Sequence, residues 1–360
     1  MIVNGTGVIT FYNNNQTTTT TNLQIDDFTS GGFFFSNAFT QTMGSLNINA
    51  VGSISAGVTN TMNLTNTTGD ALKMRFSNFN NVTVGLTSNA AQSVRFDAVS
   101  SGTANVGGAM VFGGNVKTFN IDDSTEATDM RVQGNISETT ASSLNKTGIG
   151  TLELNGSQTY SGNTTVNSGT LLVNNTIGSG TGSGLVTVDI GGTLGGSGNI
   201  SGAVNISGGG KLTGGVAGAV GNLKTGALTL ASTSIFLVDV ATTSSADLID
   251  VTGAVNVTGA TLSLSIATGL TFTVGQQLTL IANDSSDLFT GTFANLSEGG
   301  TITFGGYTFT GSYLGTNGLG NDLVVTAVPE PSTWLGAGII TVLAGWSQRR
   351  KVEEWIQRVS

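Results

Sequence analysis

The sequence predicts an all-β chain: a parallel β-solenoid with a less regular β cap region, followed by a single C-terminal hydrophobic helix. Three observations predict it. Stretches such as TLELNG (151–156), LVTVDIGG (185–192), AVNISGGG (203–210) and ALTLAS (227–232) alternate apolar and polar residues with period two, the pattern of half-buried strands. Gly-Thr-Leu recurs at 150–152, 169–171 and 192–194, with Gly-Lys-Leu at 210–212, and a strand-turn unit repeating at roughly 20 residues is the length of one solenoid coil. The two prolines, Pro329 and Pro331, stand directly before the uncharged run 334–346.

Composition narrows the function classes. Gly supplies 54 of 360 residues and charged residues only 9%, so Thr, Ser, Asn and Gly must make most of the surface. Apolar content of 38% is enough for a continuous core and too much for a disordered chain. The absence of Cys and His excludes disulfides, thiolate metal sites, Cys nucleophiles and Ser-His-Asp catalysis. The charge is −9, and the last twelve residues hold four of the twelve basic residues against two acidic ones. An acidic body argues against a nucleic-acid partner, whose phosphates need basic patches. No cofactor is expected.

In chain order, residues 1–140 read as an irregular β-solenoid or β-rich region. The repeat is most regular over 141–225, where inward Leu, Val and Ile would stack as apolar ladders and outward Thr and Asn would stay wet. Few charges suit such stacking, because like charges on adjacent coils repel. A β-sandwich also shows short strands with frequent turns and stays open as an alternative, above all for 1–140. Longer strand patterns such as STSIFLVDV (232–240) and TITFGGYTF (301–309) place paired hairpins or a sandwich-like cap in 226–327, since the end of a solenoid must be covered.

Residues 328–360 differ in kind. Proline removes a backbone donor and fixes φ, so Val328, Pro329, Glu330 and Pro331 should end the sheet as an exposed, extended segment. Trp334 and Trp346 bracket an apolar run containing Leu335, Ile339, Ile340, Val342 and Leu343, and Arg349, Arg350 and Lys351 close it. That order fits a short membrane helix with interfacial tryptophans and a cytoplasmic basic stop. Val352, Trp355, Ile356 and Val359 would share one face of a small interfacial helix beyond it. The start, MIVNGTGVITFYNNN, lacks the basic n-region and apolar stretch of a signal peptide, which raises the expectation that it is not the authentic N-terminus.

Two segments resemble known families. KTGIGTLELNGSQTYSGNTTVNSGTLLVNN (146–175) closely matches the autotransporter-associated β-strand repeat, which implies a right-handed parallel β-helix and export. VPEPSTWLGAGIITVLAGWSQRRK (328–351) is similar to the PEP-CTERM sorting signal of Gram-negative bacteria. That resemblance implies recognition of Val328, Pro329, Glu330 and Pro331 by an exosortase-type membrane enzyme, with a transient inner-membrane anchor before release to the exterior.

Candidate chemistry is sparse. Asp122, Asp123, Glu126 and Asp129 lie within IDDSTEATD (121–129) and could present oxygen ligands to a hard cation, although a solvated loop is the plainer reading. Further acidic pairs are Asp26 with Asp27, Asp247 with Asp250, and Asp284 with Asp287. GLGNDLVV (318–325) resembles one copy of a calcium-binding nonapeptide, a motif that needs stacked copies, so a turn before a strand is expected. The three Trp lie at 334, 346 and 355, leaving the body without the best sugar-stacking side chain. The expected function is therefore a non-enzymatic, structural or adhesive protein of the cell surface or matrix, with exopolysaccharide a candidate partner in biofilm. The alternative is a polysaccharide lyase or hydrolase on a β-helix.

Overall fold

The computed structural model describes residues 2–4, 22–26, 32–35, 40–48, 52–67, 69–74, 77–97, 102–216, 218–284, 287–315 and 321–329. Among them all regular structure is β-strand. Thirteen strands, from Ile2–Asn4 to Phe289–Thr290, form a first sheet in which sequential coils lie side by side. Every pairing recorded along it is parallel. A sandwich would require antiparallel neighbours; the chain is a parallel β-solenoid.

The register measures the coil. Leu144 pairs with Thr164, Thr164 with Val186, Val186 with Val204 and Val204 with Leu228. Each step advances 18 to 24 residues. The repeated Gly-Thr-Leu falls on the second sheet, where Leu152 pairs with Leu171, Leu171 with Leu194 and Leu194 with Leu212. Phe236 and Leu262 continue the same row, and Met130 precedes it. All seven side chains are buried, so the sequence repeat is an apolar ladder running along the rod.

A third side is built from shorter or irregular backbone. Strands Met110–Phe112 and Ile136–Glu138 pair there. The side continues through hydrogen bonds from Thr159 N–H to Ile136 O, Gly180 N–H to Asn199 O and Ile200 N–H to Lys224 O. The corners need glycine because adjacent coils approach there without room for a side chain. A Cβ at Gly108 would meet Val82 O, one at Gly134 would meet Gly108 O, and one at Gly156 would meet Gly134 O. Gly162, Gly184 and Gly202 form a second column of the same kind.

Parallel coils continue past residue 225, through Leu228–Leu230, Val255–Asn256 and Phe289–Thr290. The long strand Ile235–Thr242 is one of these coils, pairing parallel with Lys211–Thr213 and Thr261–Ile266. Parallel coils and the expected hairpins therefore overlap beyond residue 226, and this strand takes part in both, returning antiparallel on Ser245–Ala246. Longer strands read like hairpins in sequence because alternation is the same in both arrangements. Antiparallel pairing enters where Ile235–Thr242 turns back on Ser245–Ala246, and then with Gln277–Asn283 against Leu323–Val328, Tyr307–Ser312 against Leu323–Val328, and Thr301–Phe304 against Tyr307–Ser312. This cap closes the apolar end with Phe293, Leu296, Phe309 and Tyr313. Tyr313 Oη accepts from Phe293 N–H and donates to Leu296 O.

Candidate functional site

The acidic segment 121–129 does not converge on a cation. Asp129 is fully buried, and its two oxygens accept from Ser124 N–H and Thr151 N–H, each at 2.7 Å. It fastens its own turn to the next coil. Asp122 faces Arg95 at 3.7 Å, while Asp123 and Glu126 are exposed. Among the described residues no group of three or more Asp, Glu, His or Cys is placed to hold a metal. Asp322, in the nonapeptide-like stretch, accepts from Asn283 N–H at 2.9 Å just before strand Leu323–Val328.

The stacking of charges shows why so few are tolerated. Lys73 and Arg95 are direct partners in the first sheet, a repulsive arrangement. Asp97 sits between them, 2.6 Å from Lys73 Nζ and 2.5 Å from Arg95 Nε. Burial pushes the Asp97 carboxyl up, but the hydrogen bonds from both cations outweigh it and hold the group below the ordinary carboxylate range.

Alternation alone placed only apolar side chains inside, and the interior holds two lysines. Lys117 and Lys146 are each 0% exposed. Lys117 Nζ donates to Ser88 O, Ala90 O and Gln92 Oε1 at 2.8 to 3.0 Å. Lys146 Nζ donates to Thr147 O, Gly148 O and Ser168 O at 2.9 to 3.2 Å. Each ammonium satisfies its three N–H groups, Lys117 on two turn carbonyls and the Gln92 side-chain amide, Lys146 on three backbone carbonyls, so it ties neighbouring coils together. Desolvation lowers both pKa values to about 8, with the Asp129 charge opposing the shift at Lys146. The sequence signal was present: Lys117 and Lys146 sit at inward parity in NVKTFNI and SSLNKT.

A second missed feature is a groove on the outer face of the second sheet. Its floor carries Leu172 and Leu237, its sides Thr170, Thr193 and Ser263, and the turn containing Val216 and Gly218 stands over it. The cavity measures about 360 Å³. Asp239 lies at one end, where its Oδ2 accepts from Gly218 N–H at 2.8 Å. Asp247 is buried behind it, accepting from Thr213 Oγ1–H, Gly221 N–H and Asp239 N–H at 2.8 to 3.0 Å. Burial pushes the Asp247 carboxyl up, those donors lower it, and the Asp239 charge adds to the rise. The sequence paired Asp247 with Asp250, but Asp250 lies beside Lys224, at 3.5 Å.

The C-terminal motif enters the described structure at its first two residues. Strand Leu323–Val328 keeps its pairing to the end, Val328 opposite Thr308, and Pro329 follows with no strand assignment. The ladder stops where the first donor is lost. Glu330, Pro331, the helix residues Trp334 to Trp346 and the basic stop at Arg349, Arg350 and Lys351 lie outside the described residues. Among the described ones, no helix is long and apolar enough to cross a membrane.

Comparison with known proteins bears on the middle of the rod. Residues 144–173 match the passenger-associated-transport-repeat family. The match starts at Leu144, inward on the first sheet, and ends at Val173 on the second, so it spans more than one coil. This transport repeat occupies the span where the Gly-Thr-Leu ladder is in register. Transport repeat and parallel solenoid together make this part of the rod autotransporter-passenger-like. No curated protein matches the chain.

Proposed function

We propose that the chain is an exported structural or adhesive rod of the cell surface or extracellular matrix. In this reading a C-terminal Pro-Glu-Pro signal directs its sorting, and an exosortase-type membrane enzyme reads that signal. The observation that carries it is the position of Pro329, immediately after the last ladder residue of the cap. Strand pairing runs to Val328 and stops before Pro329, and in this reading the processing enzyme takes the motif that follows as an extended chain. The apolar run 334–346 and the basic stop then hold the motif at the membrane surface. The coil is right-handed, as the repeat resemblance implies. An acidic, low-charge surface and a body built by repetition support a structural role over catalysis.

The test is a fusion of residues 328–360 to an exported reporter in a Gram-negative host that carries an exosortase. The reporter should be trimmed near Pro329 and released, and a variant with P329A and P331A should remain full length in the membrane fraction. A reporter processed equally with and without the prolines would refute the assignment.

A further inference from the structure

The outer face of the first sheet differs from the rest of the rod in charge and in apolar exposure. Its central outward column runs from Thr118 through Asn145, Thr165, Thr187 and Asn205 to Thr290. Every member is Thr or Asn, and each is partly or fully exposed. The column crosses eight strands, about 34 Å at roughly 4.8 Å per coil. Asp189 is the only charged residue in this column or in the columns two residues to either side, and Ser207 Oγ donates to it at 3.3 Å. The second sheet, by contrast, carries Arg131, Glu153 and Lys211 at outward positions. Exposed apolar side chains gather on the margins of the neutral face. Val116, Leu185 and Leu288 stand two residues before the central column, and Ile149 and Ile190, each 75% exposed, stand in the turns that leave its other side. They are five of the nine large apolar side chains exposed among the described residues.

We infer that this face is the contact surface between two copies of the chain, laid side by side through their first sheets. A face that meets itself across a two-fold axis must be self-complementary. Thr hydroxyls and Asn amides meet that condition, because each both donates and accepts. Charge selects the same face. Two chains of net charge −9 repel across charged surface, and the core of an interface is depleted in charge. Size sets the strength. Five residues across at roughly 3.3 Å each make the strip about 16 Å wide, or about 500 Å² per copy. The two copies together bury about 1,000 Å², the lower end for a specific contact, so the association is weak. An isologous contact also closes at two copies rather than growing into a filament. The inference goes beyond the sorting signal and does not depend on it.

The experiment is sedimentation velocity of the purified full-length protein from about 1 to 500 μM. The expected result is a monomer–dimer equilibrium with Kd on the order of 10–100 μM. Thr187→Arg sets a cation in the middle of the face and should raise Kd by about tenfold or more. Thr229→Arg, at an exposed position of the same column, replaces it if Thr187→Arg lowers the melting temperature. Thr159→Arg, exposed on the third side, should dimerise as the parent does. A parent that stays monomeric to about 500 μM would overturn the inference. Association unchanged in both face variants would also overturn it, since the contact would then lie elsewhere, as in the apolar run 334–346. An equal loss in Thr159→Arg would do the same.

Discussion

Lys117 and Lys146 make the interior sensitive to pH in a defined direction. Each lysine has a folded pKa of about 8 against the ordinary 10.5. Below pH 8 both states hold the proton, and the cost of burying the charge is constant. Between 8 and 10.5 the unfolded chain binds more protons than the folded one, so stability rises with pH. The ceiling is about 3 kcal/mol per lysine at ~1.4 kcal/mol per pK unit. Buried Tyr160 and Tyr313 act oppositely. Burial raises both phenols, Tyr313 to about 12, so stability falls again once the unfolded tyrosines ionise near 10. Thermal melts across pH 7 to 11 should therefore show a maximum near pH 10, and the double variant K117M/K146M should lose the rising limb. A melt temperature that declines steadily from pH 8 would contradict this account. At the surface, Asp97→Asn leaves Lys73 and Arg95 stacked without the charge between them. The expected loss is on the order of 1 kcal/mol, read by urea unfolding and shrinking in high salt.

At the scale of the element, the ladder Leu152–Leu171–Leu194–Leu212 sets the register, and Leu194 is buried within it. Leu194→Ala should cost about 2–5 kcal/mol in chemical denaturation, whereas Thr187→Ala on the wet face should cost little. A Leu194→Ala loss below ~1 kcal/mol would mean that the coil is not held by this row. This ladder was legible in the sequence, since Gly-Thr-Leu repeats and period-two alternation both specify which residue stacks on which. The lysine interior was less legible, because parity puts Lys117 and Lys146 inside while residue type puts them outside. Only the turn carbonyls, which no local pattern reveals, decide for the inside. Asp129 reads as part of a cation loop for a related reason: four nearby carboxylates are visible in the sequence, but not the two N–H groups that claim this one. Asp239 and Asp247 meet through the tight antiparallel return of Ile235–Thr242 on Ser245–Ala246, but the donors that claim Asp247, Thr213 and Gly221, come from the preceding coil and its turn. The glycine columns are intermediate. Their frequency is plain, but the column Gly108–Gly134–Gly156 follows from coil lengths that vary along the rod.

For the whole molecule, the controlling fact is that a stack of coils is nearly one-dimensional. Each coil contacts its neighbours, so stability is a sum of coil and interface terms, and the ends must be covered. The antiparallel segment Thr301–Ser312 with Leu323–Val328 covers one end and buries Phe309 and Tyr313 beside Phe293. Removing residues 297–328 while keeping 329–360 in frame would uncover Phe289, Phe293 and strand Gln277–Asn283. An exposed strand edge with an apolar end is a template for self-association. The truncated chain should elute from size exclusion as concentration-dependent oligomers, and hydrogen exchange should show protection falling first in the coils nearest 289–290 while coils around 144–212 stay closed. A truncated protein that remained monomeric with unchanged protection would show that the terminal coil stands without cover. In that case the sheet would end at Val328 for the benefit of the following motif rather than of the rod.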